Sequence, residues 1–423
     1  EDVFFSPPFS CHLLPSAGVP MCSASSRSTR PLAATAGYYG AFVAMGLMTA
    51  AVGPTLPGLA EQTGSTLRAI SYLFSARSLG YLAGSFSAGH AYDRYPGHPI
   101  LAGAVVFMAL MALTVPFMPA IWLLTIAMVG LGFGEGFLDV GGNAMLVWQH
   151  GARVGPFMNG LHFCFGLGAF VAPIVIAQVI SITGGIRWAY WVLGGVAWLP
   201  AVWILSVPSP VIRKPADASV PGERNDRLLG LIVLFFFLYV GAEAGFAGWI
   251  YTYALSLKLA TATGAAYLTS VFWGSFTLGR LLAIPISAKV APRTILVTDL
   301  AASICGVSAI LIWQTSTIVV WAGTFVVGLS LASLFPTTVN LAEQRMVLNG
   351  RVTSWFFIGA SAGGMCVPWL IGQVFEQRGA VITMVMILCD LALTASVFLL
   401  MIRQIASATV RNTSAATRVS PEV

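Results

Sequence analysis

The stretch from residue 228 to residue 256 reads LLGLIVLFFFLYVGAEAGFAGWIYTYALS, and its one charged side chain is Glu243. A helix rises about 1.5 Å per residue, so a helix of this length crosses the roughly 30 Å hydrocarbon core of a bilayer. Lipid offers no hydrogen-bond partners, so the backbone of such a run must satisfy itself, as a helix does. The stretch therefore predicts a transmembrane helix.

The composition extends this interpretation to most of the chain. Of its 423 residues, 57% are hydrophobic and 9% are charged, whereas a soluble globular domain carries about 25% charged residues. The alternating segments of about ten residues that form a β-barrel are not found, so we expect an all-α membrane protein. The six cysteines lack the paired spacings of a zinc site or redox motif. We expect neither a metal nor another cofactor.

Similar apolar runs recur along the chain and predict twelve transmembrane helices. They cover residues 37–58, 67–90, 98–117, 120–148, 156–180, 187–207, 228–256, 265–287, 293–313, 318–341, 352–375 and 380–403. The long polar stretch between the sixth and seventh spans contains Pro, Gly and charged residues, which are typical of a linker. We expect a disordered cytoplasmic N-terminal tail at 1–36, a six-helix bundle at 37–207, a cytoplasmic linker at 208–227, a second six-helix bundle at 228–403 and a cytoplasmic C-terminal tail at 404–423.

The basic residues predict the orientation of these spans. Of the 21 Lys and Arg residues, two fall inside spans and only four fall on the side opposite the chain ends, namely Arg68, Arg187, Lys258 and Arg378. All the others lie on the side of both termini and the linker. Because cytoplasmic loops of membrane proteins are enriched in Lys and Arg, both termini are predicted to be cytoplasmic.

The two predicted bundles resemble each other in sequence. A Gly, a Pro and a Gln recur at identical spacing in the fifth and eleventh spans, as Gly168, Pro173 and Gln178 and as Gly363, Pro368 and Gln373. Leu79-Gly80-Tyr81-Leu82 in the second span corresponds to Leu278-Gly279-Arg280-Leu281 in the eighth. Matches in corresponding helices and in order indicate two pseudo-symmetric six-helix repeats.

Ionisable side chains inside the spans are the first candidates for a functional site. Each costs about 3 kcal/mol on insertion scales and therefore needs a reason to be there. Glu135, Asp139 and Asn143 follow one another at intervals of four residues in the fourth span, which places them on one helical face. Their carboxylates are candidates for proton uptake or Na⁺ binding. Alternatively, Arg77 in the second span neutralises one of them as a structural pair.

Two further candidate ligands lie inside predicted spans. Glu243 in the seventh span is a candidate for substrate binding and ion coupling, and Arg280 in the eighth is its expected structural partner. His162 in the fifth span is a candidate ligand, although a lone His in a helix is often only hydrogen-bonded in the core.

A loop motif resembles that of a known family. Gly89-His90-Ala91-Tyr92-Asp93-Arg94 follows the second span, and the loop motif of the major facilitator superfamily has a Gly followed after three residues by Asp-Arg. In that motif one residue separates Asp-Arg from a Gly and basic residues. Here Tyr95-Pro96 precedes Gly97, and His98 stands where Arg or Lys is usual. The resemblance implies the major facilitator fold and a transporter that works by alternating access.

More specifically, the chain resembles the sodium-dependent glucose transporter-like branch of the fucose/galactose/glucose:cation symporter family. The stretches that carry this resemblance are Gly53-Pro54-Thr55-Leu56, 137–143, Leu161-His162-Phe163, 168–173, 239–243, 272–276 and Phe335-Pro336. It implies a hexose or deoxyhexose substrate, held between the bundles near the bilayer midplane and moved with Na⁺ or H⁺.

The resemblance also implies roles for single residues. Asp139 is the expected sugar-binding and coupling carboxylate, with Asn143 and His162 as further sugar contacts. Proton-coupled members of the family carry an acidic residue in the first span, and this chain has none there. We therefore expect that Glu135, Asp139 or Glu243 takes over this role, that Na⁺ is the coupling ion, or that the protein is an uncoupled facilitator.

Other residues are candidates for contacts with the sugar ring or for closing the cytoplasmic side of the protein. Trp249 and Trp273 are expected to flank the sugar, with simple packing as the alternative. Asp93 and Arg94 are expected to latch the cytoplasmic side, with Glu343, Arg345 and Arg351 as partners.

Other function classes are less compatible with the sequence. A proton-coupled exporter of amphipathic small molecules is the main alternative. A receptor or sensor requires a sizeable soluble output region, and a membrane-embedded enzyme is disfavoured because neither Gly-x-Ser-x-Gly nor His-Glu-x-x-His occurs. We expect a monomer in the lipid bilayer, in the plasma membrane, that binds a monosaccharide and no nucleic acid.

Overall fold

The computed structural model describes residues 29–210, 226–346 and 350–418. The α-helices are α1 Thr29–Thr63, α2 Leu67–Ile70, α3 Tyr72–Tyr92, α4 Gly97–Thr114, α5 Ile121–His150, α6 Val154–Thr183, α7 Arg187–Ala197, α8 Leu199–Leu205, α9 Asp226–Ser256, α10 Ala262–Ser287, α11 Pro292–Ile312, α12 Thr317–Leu331, α13 Leu334–Glu343, α14 Gly350–Arg378 and α15 Ile382–Arg418. Short 3-10 helices at Val115–Phe117 and Gly151–Arg153 extend α4 and precede α6. The prediction of an all-α membrane fold is confirmed.

Each predicted span has a helical counterpart in the described part of the chain, with α2 and α3, α7 and α8, and α12 and α13 each making up one broken span. Ten of these are long and apolar enough to cross a membrane. The other two long helices are α3 and α10, which contain Arg77 and Arg280. Both pack against the opposite half of the protein. Residues of both helices also line the space between the halves. This part of their surface faces neither lipid nor the packed core, which accounts for their lower hydropathy.

The chain ends are helical further out than predicted. α1 begins at Thr29, inside the stretch expected to be a disordered tail, because its first turns are anchored to the bundle. The Trp203 Nε1 group donates a hydrogen bond to the Ala33 carbonyl at 2.8 Å, and Thr35 bonds His150 at 2.8 Å. α15 continues to Arg418 instead of ending near residue 403, in a segment without Gly or Pro to stop it.

Several predicted features fall outside the described residues. They include residues 1–28 of the expected N-terminal tail, residues 211–225 of the expected linker and residues 419–423. The side chain of Arg351 also lies outside the described part.

The same packing pattern occurs in both halves. In the first half α1 packs against α6, and α3 packs against α5. In the second half α9 packs against α14 and α10 against α12, which are the corresponding helices. Gly80 and Gly279 allow two of these close approaches, because a Cβ atom at either position would collide with the backbone of α5 or α12.

The two halves contact each other mainly at one membrane face. α1 begins and α15 ends at the same face, which we call the terminal face, and the opposite one is the outer face. At the outer face α3 contacts α14, and α6 contacts α10. The Leu67 amide donates to Glu376 at 2.8 Å, and Gln178 donates to the Tyr267 hydroxyl. These contacts close the outer face.

Candidate functional site

A cavity of about 1580 Å³ lies between the two halves. Its wall includes Ser287 at the end of α10, Pro292 at the start of α11 and Glu343 at the end of α13. Because all three lie at the terminal face, the cavity opens there and ends below the closed outer face. The structure thus has the geometry of a carrier that is open to one side.

The fourth-span stripe lies on the wall of this cavity. Glu135, Asp139 and Asn143 all line it, as does Arg77 from α3. The Arg77 Nη2 atom is 2.7 Å from Glu135 Oε1, and the Glu135 side chain is only 2% exposed. Thr49 on α1 accepts a hydrogen bond from Arg77 at 2.8 Å and lies 3.4 Å from Glu135. This is the arrangement expected of a structural ion pair that joins α1, α3 and α5.

Asp139 has a different environment, because its hydrogen bonds come from uncharged donors. The Tyr81 hydroxyl donates to Asp139 Oδ2, and Asn143 Nδ2 donates to Asp139 Oδ1 at 2.9 Å. No counter-ion contacts this carboxyl group within the described residues. Asp139 therefore retains the capacity to bind a proton, a cation or a sugar hydroxyl, which a carboxylate in a direct ion pair lacks.

Glu243 and Arg280 do not form the expected ion pair. The Tyr239 hydroxyl, one turn earlier on α9, donates to Glu243 Oε2 at 2.6 Å. The Arg280 guanidinium instead lies over the Phe276 ring, 4.6 Å from its centre, and lines the cavity. The predicted pair is absent from this conformation, and Glu243 is not among the residues that line the cavity.

The other predicted ligands occupy different positions. His162 lines the cavity, edge-on to Phe42 at 6.0 Å. Trp249 is fully buried and its Nε1 group donates to the Pro368 carbonyl at 2.9 Å. Trp273 is 6% exposed and packs behind the cavity residue Phe165. The structure does not bring either tryptophan to the cavity wall, because the closed outer face covers Trp249 and Phe165 covers Trp273.

The predicted cytoplasmic latch is not assembled in this conformation. Asp93 and Arg94 are exposed at the end of α3, and Glu343 is exposed at the end of α13. Neither Asp93 nor Arg94 forms an ion pair with a described residue. The separation of the halves at the terminal face explains this, since the open cavity lies between these loops.

Three hydrogen-bond partners of the candidate residues were not among the sequence predictions. Thr49 bonds Arg77, Tyr81 bonds Asp139, and Tyr239 bonds Glu243 away from the cavity wall. Tyr239 lies four residues before Glu243, so helical spacing contains a signal for that contact. Tyr81 lies within the repeated Leu-Gly-x-Leu segment. Thr49 carries no comparable sequence signal.

The comparison with known proteins agrees with this geometry. Residues 38–368 match the model of the Major Facilitator Superfamily. The Homo sapiens protein "Sodium-dependent glucose transporter 1" is 31% identical over 369 residues, which cover 78% of this chain and 71% of that protein.

Two solved structures share the fold. The nucleoside transporter NupG has a TM-score of 0.71 at 13% identity and covers 88% of this chain and 99% of its own. A D-xylose-proton symporter has a TM-score of 0.70 at 14% identity, and the match covers 87% of this chain and 97% of the symporter chain. The chain belongs to the major facilitator superfamily, and its similarity to the human protein is consistent with the sodium-dependent glucose transporter-like branch.

Proposed function

We propose that this major facilitator protein is a symporter that moves a monosaccharide, a hexose or deoxyhexose, together with Na⁺ or H⁺. The main support is the cavity between the halves, whose wall holds Asp139 with uncharged hydrogen-bond partners. The human relative is named a sodium-dependent glucose transporter, which supports sugar as the substrate class and favours Na⁺ as the ion.

The site residues divide into two groups in this proposal. Asp139, Asn143 and His162 face the cavity and bind the sugar, while Asp139 also couples the cation. Glu135 is held by Arg77 and has a structural role. Glu243, bonded by Tyr239, is the second candidate for cation coupling.

The alternating-access cycle follows from the two membrane faces. The basic residues on the terminal side support a cytoplasmic location for that face, and we propose that the described conformation is open to the cytoplasm. Return to the outward-open state requires the outer contacts between α3 and α14 to separate. We further propose that the protein acts as a monomer in the plasma membrane.

Uptake into proteoliposomes tests this function. Radiolabelled D-glucose and L-fucose are supplied with an inward Na⁺ gradient, an inward H⁺ gradient or no gradient. Asp139→Asn keeps the size of the side chain and removes its charge. Glu61→Gln, at an exposed position near the outer end of α1, is the matched control.

The expected result is accumulation above equilibrium with one of the two ions. Asp139→Asn should abolish it, and Glu61→Gln should retain it. Equilibration that no gradient changes would show an uncoupled facilitator. If neither sugar moves under any condition, the sugar proposal is wrong and the exporter of amphipathic molecules becomes the hypothesis to test.

A further inference from the structure

Arg280 is a cationic cavity residue that neither hydrogen-bonds nor forms an ion pair with any residue that the structure describes. The other cavity arginine, Arg77, is engaged by Glu135 and Thr49. Among the described residues Arg280 forms no ion pair and no hydrogen bond, and its guanidinium lies against the Phe276 ring. A charged residue inside a membrane protein normally pairs with another group or faces a water-filled cavity. Arg280 lines the cavity, so its N–H groups are available to a molecule that enters it.

The repeat supports a binding role for this position. Arg280 follows Gly279 in α10 as Tyr81 follows Gly80 in α3, and both glycines pack on the backbone of the neighbouring helix. The side chains of Tyr81 and Arg280 both line the cavity. The hydroxyl of Tyr81 donates to Asp139, whereas the N–H groups of Arg280 donate to no side chain or carbonyl in the described part of the chain.

The stacking on Phe276 preorganises the guanidinium of Arg280 as a hydrogen-bond donor. A guanidinium on an aromatic face is held by cation–π attraction, and its planar fork keeps several N–H groups in fixed directions. Phe276 is 1% exposed and is therefore fixed by its own packing. A ligand that uses this fork does not have to order a mobile side chain.

The surrounding charges indicate a neutral ligand. The Arg280 guanidinium is near enough to interact electrostatically with the carboxyl groups of Asp139 and Glu243. A carboxylate or phosphate ligand would add negative charge where two carboxyl groups already share one cation. A neutral polyol instead supplies oxygen acceptors to the guanidinium and hydroxyl donors to Asp139.

We propose that Arg280 is a specificity residue that donates hydrogen bonds to hydroxyl oxygens of a neutral sugar, while Asp139 accepts from another hydroxyl on the opposite side of the cavity. The proposal rests on the function proposed above and adds a sugar contact from the second half. The sugar is then held by both halves at once, which links its binding to their relative movement.

The test compares uptake kinetics of Arg280→Gln and Arg280→Lys in proteoliposomes. Initial rates of D-glucose uptake give the KM and the maximal rate for each variant, with D-glucuronate as an anionic competitor. The control is Arg293→Gln, which removes a positive charge from an exposed position at the start of α11. Size-exclusion chromatography establishes that each variant is folded.

The expected KM of Arg280→Gln is roughly ten- to a hundredfold higher, as for loss of a hydrogen bond to a charged group. Arg280→Lys should lie between this value and that of the original chain, because Lys keeps the charge without the fork. Arg293→Gln should leave the KM unchanged. D-glucuronate should compete more weakly than unlabelled D-glucose.

Three outcomes would overturn the proposal. An unchanged KM with a lower maximal rate in both Arg280 variants would show that Arg280 serves the conformational change and does not contact sugar. Stronger competition by D-glucuronate than by D-glucose would show an anion site. Absence of D-glucose and L-fucose uptake by the unsubstituted chain would overturn this proposal and the proposed function together, whereas the first two outcomes leave the function intact.

Discussion

The proposed structural role of the ion pair between Arg77 and Glu135 can be tested quantitatively. Arg77→Gln leaves the Glu135 carboxyl group, which is 2% exposed, without its counter-ion. Removing one partner of a buried pair costs about 3–5 kcal/mol. Because Arg77 is 20% exposed at the cavity wall, water reaches part of the site, and we expect a value near the lower end.

The double variant separates the pair from its surroundings. Arg77→Gln combined with Glu135→Gln removes both charges, so no uncompensated charge is buried, and most of the lost stability should return. The coupling free energy should therefore be at least about 2 kcal/mol, well above the roughly 0.5 kcal/mol within which independent sites add.

The assay is equilibrium unfolding of the purified protein in mixed micelles, with the unfolding free energy measured for all four members of the cycle. Arg94→Gln is the control, because Arg94 is exposed and forms no ion pair with a described residue. It should change stability by less than about 0.5 kcal/mol. If the changes in unfolding free energy from Arg77→Gln and Glu135→Gln are additive, the structural role of the pair is refuted. Glu135 would then again be a candidate for ion coupling.

Two further predictions concern the closed outer face. Trp249→Phe should lower the unfolding free energy by about 1–3 kcal/mol, through loss of the buried hydrogen bond to Pro368, and should leave the sugar KM unchanged; a raised KM in uptake assays would contradict its place away from the cavity. Gln373→Ala removes hydrogen bonds to Arg68 and Ser71, each contributing about 0.5–1.5 kcal/mol, and should favour opening of the outer face. In a cysteine-free chain carrying Ser75→Cys, at a position on α3 that contacts Met365 of α14, an impermeant maleimide added at the outer face should then react several-fold faster. An unchanged rate would contradict the gating role of Gln373.

Most of the fold was predictable because apolar runs and the distribution of Lys and Arg are visible along the whole sequence. The predicted spans agree with the observed helices, apart from the ends of α1 and α15. The start of α1 depends on contacts with residues far along the chain, such as Trp203 and His150, which a local pattern does not contain. The lower hydropathy of α3 and α10 likewise reflects their tertiary position.

The site was predictable in part. Helical spacing identified the stripe of Glu135, Asp139 and Asn143, and all three line the cavity. The partner of each charge was harder to predict, because it depends on which side chains reach across helices. Glu243 was expected to pair with Arg280, whereas in the structure its Oε2 atom accepts a hydrogen bond from Tyr239. Aromatic character alone did not show that Trp249 is buried behind the closed face.

The pairing of Arg77 with Glu135 also has a consequence for synthesis of the chain. The two residues are 58 positions apart, so a ribosome that adds roughly 5–20 residues per second delivers α5 several seconds after Arg77. During that interval α3 carries an uncompensated guanidinium, which costs about 3 kcal/mol at the centre of a helix on insertion scales. α3 therefore gains little from entering lipid by itself. Its stable integration has to await α5, which makes the first half of the protein a unit of biogenesis and not a series of independent helices.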